Sequence, residues 1–249
     1  MGEEPQTRGV DDRMNRIIGG ESCFVSVISH KRSASVSSMQ EKCGEATWFV
    51  GRGEGREYAA AGAACVVESG ALCRSRNAAL DAGFADCEYV VELSDDLGKL
   101  HFAESKDSKR ELKCDEAVDF MLKEMKKSGA RLAGMAPTAN SFYFNPLKPI
   151  QTNGFIVGDM IAVRRTPLRF DEAMSLKEDY DYTLQHIKQY GVVVRLNAIL
   201  ATFAHRTNRG GACSYRTAAL EQKMIDYLKS KWPGMVRDNP RRPNEILIR

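Results

Sequence analysis

The sequence predicts an α/β fold in one domain, with a parallel N-terminal half and a mixed-sheet C-terminal half, and three observations predict it. Short runs of β-branched and aromatic residues alternate with helical stretches through the first hundred residues, at the lengths of strand-helix-strand units. Beyond residue 130 the strands are separated by loops as often as by helices, which points to mixed pairing. The 249 residues, 43% apolar and 28% charged, suffice for one large core.

Each element follows from its local pattern. Residues 1–20 include MGEEPQTRGVDDRMNR, which lacks apolar periodicity, so a flexible arm is expected ahead of a domain spanning 21–249. CFVSVIS (23–29) reads as the first strand, followed by the basic HKRSAS and a short helix over 34–43. ATWFV (46–50) and ACVVES (64–69) supply two more strands. Between them, GRGEGRE has the glycines of a phosphate loop but not its Gly-Lys-Ser/Thr ending, and is expected to be a flexible loop. LCRSRNAALDAG forms a helix with Gly83 as C-cap, and EYVVEL (88–93) a buried strand. Next come an amphipathic helix over 114–128, a strand over 130–136, and the aromatic loop NSFYFNP (140–146). A strand pair is expected around GFIVGDMIAVRR, then a helix from Lys177 stopped by Gly191, one or two strands over 192–205, and a closing helix over 217–232.

Composition also excludes. No apolar run reaches bilayer length and the first twenty residues are polar, so neither a membrane segment nor a secretory leader is expected. Seven cysteines without a Cys-x-x-Cys pair argue against a disulfide framework or zinc ribbon, and for a reducing, intracellular setting: cytoplasm, nucleus or a host cell's interior. A net charge of +3 is too small to announce a polyanion-binding protein. Oligomeric state stays open.

Three places carry chemistry. Ser94, Asp95 and Asp96 end the strand EYVVEL, and ligands of open α/β sheets gather at the carboxyl ends of strands. Adjacent carboxylates repel, and a hard divalent cation that also binds diphosphate is the simplest compensation, a solvated turn being the alternative. Glu178, Asp179 and Asp181 open a helix, where capping alone accounts for Asp181. His205 precedes the glycine pair of AHRTNRGG, whose bare backbone suits close approach to phosphate.

The first strand, SRNAALDAG, the strand ending in SDDL, the EDYDYTL helix and AHRTNRGG together resemble a GT-A nucleotide-sugar glycosyltransferase, over residues 23–231. Within that fold the chain is most similar to the TET-associated group, including the base-J type, linked to sugar addition on hydroxymethylated pyrimidines in DNA. The resemblance implies a GT-A-like domain, Rossmann-like in its N-terminal half, with an acceptor-binding C-terminal half. It implies a nucleotide-sugar donor, here a UDP-sugar, and Mn2+ or Mg2+ held by Asp96, Asp95 and His205, the imidazole favouring Mn2+. The family often has Asp-x-Asp where this chain has Ser-Asp-Asp-Leu, so which aspartate meets metal and which meets ribose stays open, with Asp96 favoured for metal. Asp179, beside Glu178, is the general base if the reaction inverts configuration.

Nucleotide contacts are expected from Ser94, Asp95 and Arg32, and from Arg74, Arg76 and Asn77, a basic helix face being the alternative for Arg74. Asn208, Arg209, Gly210 and Gly211 would close over the diphosphate. Hydroxymethylated DNA would meet Arg164, Arg165, Arg169, Arg237, Arg241 and Arg242 through its phosphates, with the aromatic loop at the acceptor. A glycan or protein acceptor, or a non-catalytic binding module, is the alternative.

Overall fold

The computed structural model describes residues 15–203, 210–242 and 245–248. Strand β1 (Asn15–Ile18) turns through two glycines into β2 (Glu21–Ile28), to which it pairs antiparallel. Helices α1 (Val36–Cys43), α2 (Gly55–Ala60) and α3 (Leu72–Asp86) then alternate with β3 (Thr47–Val50), β4 (Cys65–Glu68) and β5 (Tyr89–Ser94). β2 to β5 are parallel, in the order β4-β3-β2-β5. Helical crossovers between parallel strands place the helices on the sheet faces, and so both faces of these strands are apolar.

After β5 the chain leaves this sheet through the turn at Asp95 and Asp96. β6 (Leu97–Ala103) and β7 (Lys109–Glu111) enter a separate small sheet, and helix α4 (Cys114–Ser128) returns the chain to β8 (Leu132–Met135). β9 (Ile150–Gln151) and β10 (Met160–Arg164) follow, the latter wedged antiparallel between β5 and β8. Helix α5 (Glu178–Tyr190) leads to β11 (Val194–Leu196), parallel to β8, and β12 (Ile199–Phe203) completes the small sheet against β6. Helix α6 (Ala218–Lys231) and the hairpin β13 (Val236–Asp238) and β14 (Ile246–Ile248) close the chain.

Alternation along the strands feeds two cores. Tyr89, Val91 and Leu93 face α1 and α4, whose stripe of Val118, Met121, Leu122 and Met125 is fully buried. Val90, with Phe24 and Phe49, faces α3, α5 and α6. Glu92 shares that second face, so a carboxylate stands inside the core.

Several expectations need correction. Of the expected arm, residues 15–20 are described, and they form β1 and its turn into β2 rather than loose chain; residues 1–14 lie outside the described residues. Gly83 is not a C-cap: α3 runs on to Asp86, and a Cβ at Gly83 would stand 2.5 Å from Val90 and 2.7 Å from Phe24, so this glycine lets α3 lie flat on the sheet. The GRGEGRE stretch opens into α2, and the N–H groups of Gly53 and Gly55 each donate to the Glu68 carboxylate at 2.8 Å. Those glycines hold the chain's own acid. GFIVGDMIAVRR contains one strand, β10, preceded by a loop. Asp181 is no cap but a fully buried acceptor of Trp232 Nε1 (2.7 Å) and Lys231 (2.9 Å), fastening α6 to α5. Among the described residues no disulfide joins any of the seven cysteines, and no helix is long and apolar enough to cross a membrane.

Candidate active site

β2 and β5 are parallel neighbours with Ile28 opposite Ser94, so the segments leaving them, 29–32 and 95–96, emerge side by side. Ser29 Oγ donates to Asp95 Oδ2 at 2.5 Å and also meets Tyr58 Oη at 2.5 Å. Arg32 Nη1 donates to Asp95 Oδ1 at 2.6 Å and lies 3.4 Å from Asp96 Oδ2. Ser94 Oγ donates to Asp96 Oδ1 at 2.8 Å. Both aspartates are buried, 5% and 8% exposed, and burial pushes the Asp95 carboxyl above its usual range while Ser29 and Arg32 pull it back.

The loop that carries Arg32 is itself fixed from below. Lys31 is left-handed (φ 55°), and its N–H donates to Glu54 Oε2 at 2.8 Å while His30 Nδ1 meets Glu54 Oε1 at 2.6 Å. Arg32 N–H donates to Tyr58 Oη at 2.9 Å. Gly210 and Gly211 close on this loop: Gly211 N–H donates to the His30 carbonyl at 2.9 Å and Arg32 Nη2 to the Gly210 carbonyl at 3.3 Å. Both glycines have positive φ, and a Cβ on Gly210 would meet the Lys31 carbonyl oxygen at 2.8 Å, so glycine is needed for this approach. His205, Asn208 and Arg209 lie outside the described residues.

A second acidic group gathers at the start of α5. Arg76 projects from α3 into the core, donating to Glu92 Oε2 at 2.8 Å and to the Gly158 carbonyl at 2.9 Å, with Glu178 Oε1 3.3 Å from its Nε. Gly158 N–H donates to Asp179 Oδ2 at 3.2 Å. Two carboxylates thus share one guanidinium, with a third, Asp179, held beside them through Gly158. Burial, then the charge of Glu178, raises the Asp179 carboxyl to about 7, and burial raises that of Glu92 to about 7 against the pull of Arg76. Glu178 is buried, whereas Asp179 keeps part of its surface open. The loop before β10 joins the two acidic groups, since Ser94 N–H donates to the Asp159 carbonyl at 2.8 Å.

Three expected nucleotide ligands are placed elsewhere. Arg76 is committed to core carboxylates, because the α3 register turns it inward. Asn77 exchanges hydrogen bonds with the Phe170 backbone (3.0 and 2.8 Å), and Arg74 pairs with Glu172 at 2.9 Å on the surface. Residue reasoning missed Ser29, Glu54, Tyr58, Glu92 and Gly158. Of these only Glu92 left a signal, an acid inside an otherwise apolar strand.

Asp95 and Asp96 present hard, desolvated oxygens side by side, and that donor set fits Mn2+ or Mg2+. Among the described residues no cluster of three or more His, Cys, Asp or Glu side chains forms a metal cage; the third expected ligand, His205, lies outside them.

The sequence matches no protein-family model and no curated protein. Among solved structures the chain is similar to a mannosyltransferase from Pyrobaculum calidifontis in complex with GDP-Man and Mn2+, with a TM-score of 0.54 and 15% identity. That likeness covers 89% of this chain and 66% of the other, so this chain spans just under two thirds of its neighbour's length. A CMP:2-keto-3-deoxy-manno-octonic acid synthetase complexed with CTP aligns at a TM-score of 0.36 and 10% identity, over 84% of this chain and 99% of that one, which is too distant to carry an argument. The large, mostly parallel sheet with its appended small sheet is a GT-A-like α/β fold.

Proposed function

We propose that the protein is a metal-dependent glycosyltransferase that moves a sugar from a nucleotide sugar, a UDP-sugar in the finer reading, to a hydroxyl acceptor. One observation carries the reading. On a GT-A-like fold, a buried aspartate pair braced by Arg32 is joined through a single loop to Asp179, a carboxylate that burial raises to about 7.

Asp95 and Asp96 would hold the divalent cation, which supplies charge neutralisation for the leaving diphosphate. Arg32 and the Gly210–Gly211 backbone border the donor's phosphates, and His30 and Lys31 its base. In an inverting displacement the acceptor oxygen forms a bond to the anomeric carbon as the bond from that carbon to the diphosphate oxygen breaks. The diphosphate leaves with the electron pair, and the acceptor's proton passes to Asp179. Arg76 and Gly158 fix the carboxylate for that transfer, and a value near 7 suits a base working at neutral pH.

The acceptor implied by the family resemblance is 5-hydroxymethylpyrimidine in DNA. Against it, Arg164 and Arg165 pair with Glu88 and Arg169 with Asp81, which weakens the case for a phosphate-binding patch there. Incubation with UDP-, GDP- and CMP-sugars and Mn2+, in the presence of hydroxymethylated DNA, glycans or peptides, tests the reading by mass spectrometry of products. Transfer that stops on chelation and in Asp96→Ala supports it. No turnover of any donor, or turnover untouched by both treatments, would sink it.

A further inference from the structure

A second feature stands on the same edge of the sheet as the aspartate pair. β5, β8 and β11 run in one direction, and the segments leaving β8 and β11 surround a cavity of about 490 Å³. That volume is within the range of about 300–1,000 Å³ usual for small-molecule sites. Its walls include Tyr143, Phe144, Lys148, Gln151, Arg195 and Asn197. Phe144 is 5% exposed and anchored among Ala103, Ala136, Ala198 and Leu200, whereas Tyr143 is 70% exposed at the rim.

Arg195 is the unusual group. Arg32 and Arg76 each face two carboxylates, yet Arg195 has no acidic partner among the described residues. Its Nε donates to Asn197 Oδ1 at 2.9 Å, one Nη to the Phe155 carbonyl at 3.2 Å and the other to Gln151 Oε1, all neutral acceptors. A guanidinium has five N–H groups, so these contacts orient the plane without filling its donors or meeting its charge. Burial lowers the Arg195 value, with no carboxylate to offset it. Gly154 packs against the pair, where a Cβ would stand 2.8 Å from Gln151 and 3.2 Å from Arg195. The side chain is therefore held in place from three sides, with its charge uncompensated. Lys148, on the same wall, has an exposed side chain that makes no hydrogen bond or ion pair among the described residues.

We propose that this cavity is the acceptor subsite and takes an anionic group, a phosphate or a carboxylate carried beside a ring, with Arg195 and Lys148 holding the charge and Tyr143 flanking the ring. Its role as acceptor subsite rests on the glycosyltransferase reading; the anion site does not. An oriented, half-buried guanidinium gives bidentate recognition, and the aromatic rim gives area without a sequence-specific contact.

The test is a 19F NMR titration of the full chain with 4-fluorophenyl phosphate, 4-fluorobenzoate and the neutral 4-fluorobenzyl alcohol. At least one anion should bind about tenfold more tightly than the alcohol, the worth of one charge-assisted contact. Lys148→Glu, which breaks no side-chain contact, should weaken that anion by at least as much, and Arg195→Gln should do the same. Which anion responds identifies the group. Anion binding equal to that of the alcohol, or unchanged in Lys148→Glu, overturns the proposal even if Arg195→Gln fails to fold. Anion binding without any sugar transfer sinks the glycosyltransferase reading alone; transfer with no preference for anions sinks the anion site alone.

Discussion

Two arginines, Arg32 and Arg76, each organise a group of buried carboxylates, and the groups differ in what surrounds them. Arg76 lies between α3, β5 and α5, in contact with Glu92, Glu178 and the Gly158 carbonyl, and is closed off by helices. Arg32 lies at the carboxyl ends of β2 and β5, contacting Asp95, Asp96 and the Gly210 carbonyl, with a loop rather than a helix as its roof. The first group is built into the core and the second is built at its mouth. A closed ion cluster must balance its charge internally or by holding protons, and the raised Glu92 and Asp179 show the second solution. The Arg32 group is buried too, but it ends two parallel strands under a loop, where the ligands of open α/β sheets gather. On the proposed function, the contrast would separate an arginine that positions a base from one that borders a donor.

The largest effect is expected from breaking the closed group. Arg76→Leu leaves Glu92 and Glu178 without their cation and should cost about 3–5 kcal/mol of stability, read from urea unfolding at pH 8. Arg32→Leu should cost less, because Ser29 and Ser94 still donate to Asp95 and Asp96, while abolishing donor binding in calorimetry. Equal losses of stability from the two would erase the distinction.

Next in size is the base. Asp179→Asn keeps an acceptor for Gly158 N–H but cannot take a proton, and should lower kcat by about 10²–10⁴-fold. In the unmodified protein kcat/KM should rise with pH through about 7, an apparent value shared by Glu92 and Asp179. Stability should move the other way. Both carboxyls are raised from ordinary values of 3.8 and 4.5 to about 7, so the folded chain holds protons that the unfolded chain has released, and stability falls as pH rises across that window. In Asp179→Asn that fall should be shallower. A flat activity profile from pH 5 to 8 would remove Asp179 from the role of base.

How far the sequence reaches divides along the same line. The strands at 23–29, 46–50, 64–69 and 88–93 and the helix at 114–128 are legible because their patterns are local, and the turn at Asp95 and Asp96 is legible because it ends an apolar strand. The Arg76 group is not. A basic residue early in a helix reads as exposed, and the acids that draw it inward come from a neighbouring strand and from a helix about a hundred residues later. Gly83 and Gly158 mislead or pass unnoticed for a related reason: each is glycine because of what another segment places against it, not because of its own φ. The small sheet β12-β6-β7 depends on pairing β6 with β12, about a hundred residues later, too far apart for periodicity to register.

Gly158 probes the link between the two groups at smaller amplitude. A Cβ there would stand 2.7 Å from Arg76 Nη2 and 3.3 Å from Asp179 Cβ. Nη2 is the tip of a long side chain, but Glu92 and Glu178 hold that guanidinium, so it cannot yield without loosening the ion cluster. Gly158→Ala should cost about 1–3 kcal/mol and shift the midpoint of the pH-activity profile. A loss of stability with an unmoved midpoint would mean that the loop packs against Asp179 without tuning it.

The smallest effect is expected at Arg74, two residues before Arg76 and so about half a turn away, on the opposite face of the same helix. Its pair with Glu172 leaves the two side chains 56% and 48% exposed, and such pairs contribute roughly 0–1 kcal/mol. If Arg74 were a donor ligand, as its position after β4 first suggests, Arg74→Ala would raise the KM for the nucleotide sugar about tenfold, the worth of one charged contact to phosphate. If α3 instead contributes only its buried face, through Arg76, then Arg74→Ala leaves both KM and the urea midpoint nearly unchanged. The surface pairing with Glu172 favours the second outcome. Measured beside Arg32→Leu, this variant shows whether donor recognition is confined to the loop after β2 and the glycine pair, or extends onto α3.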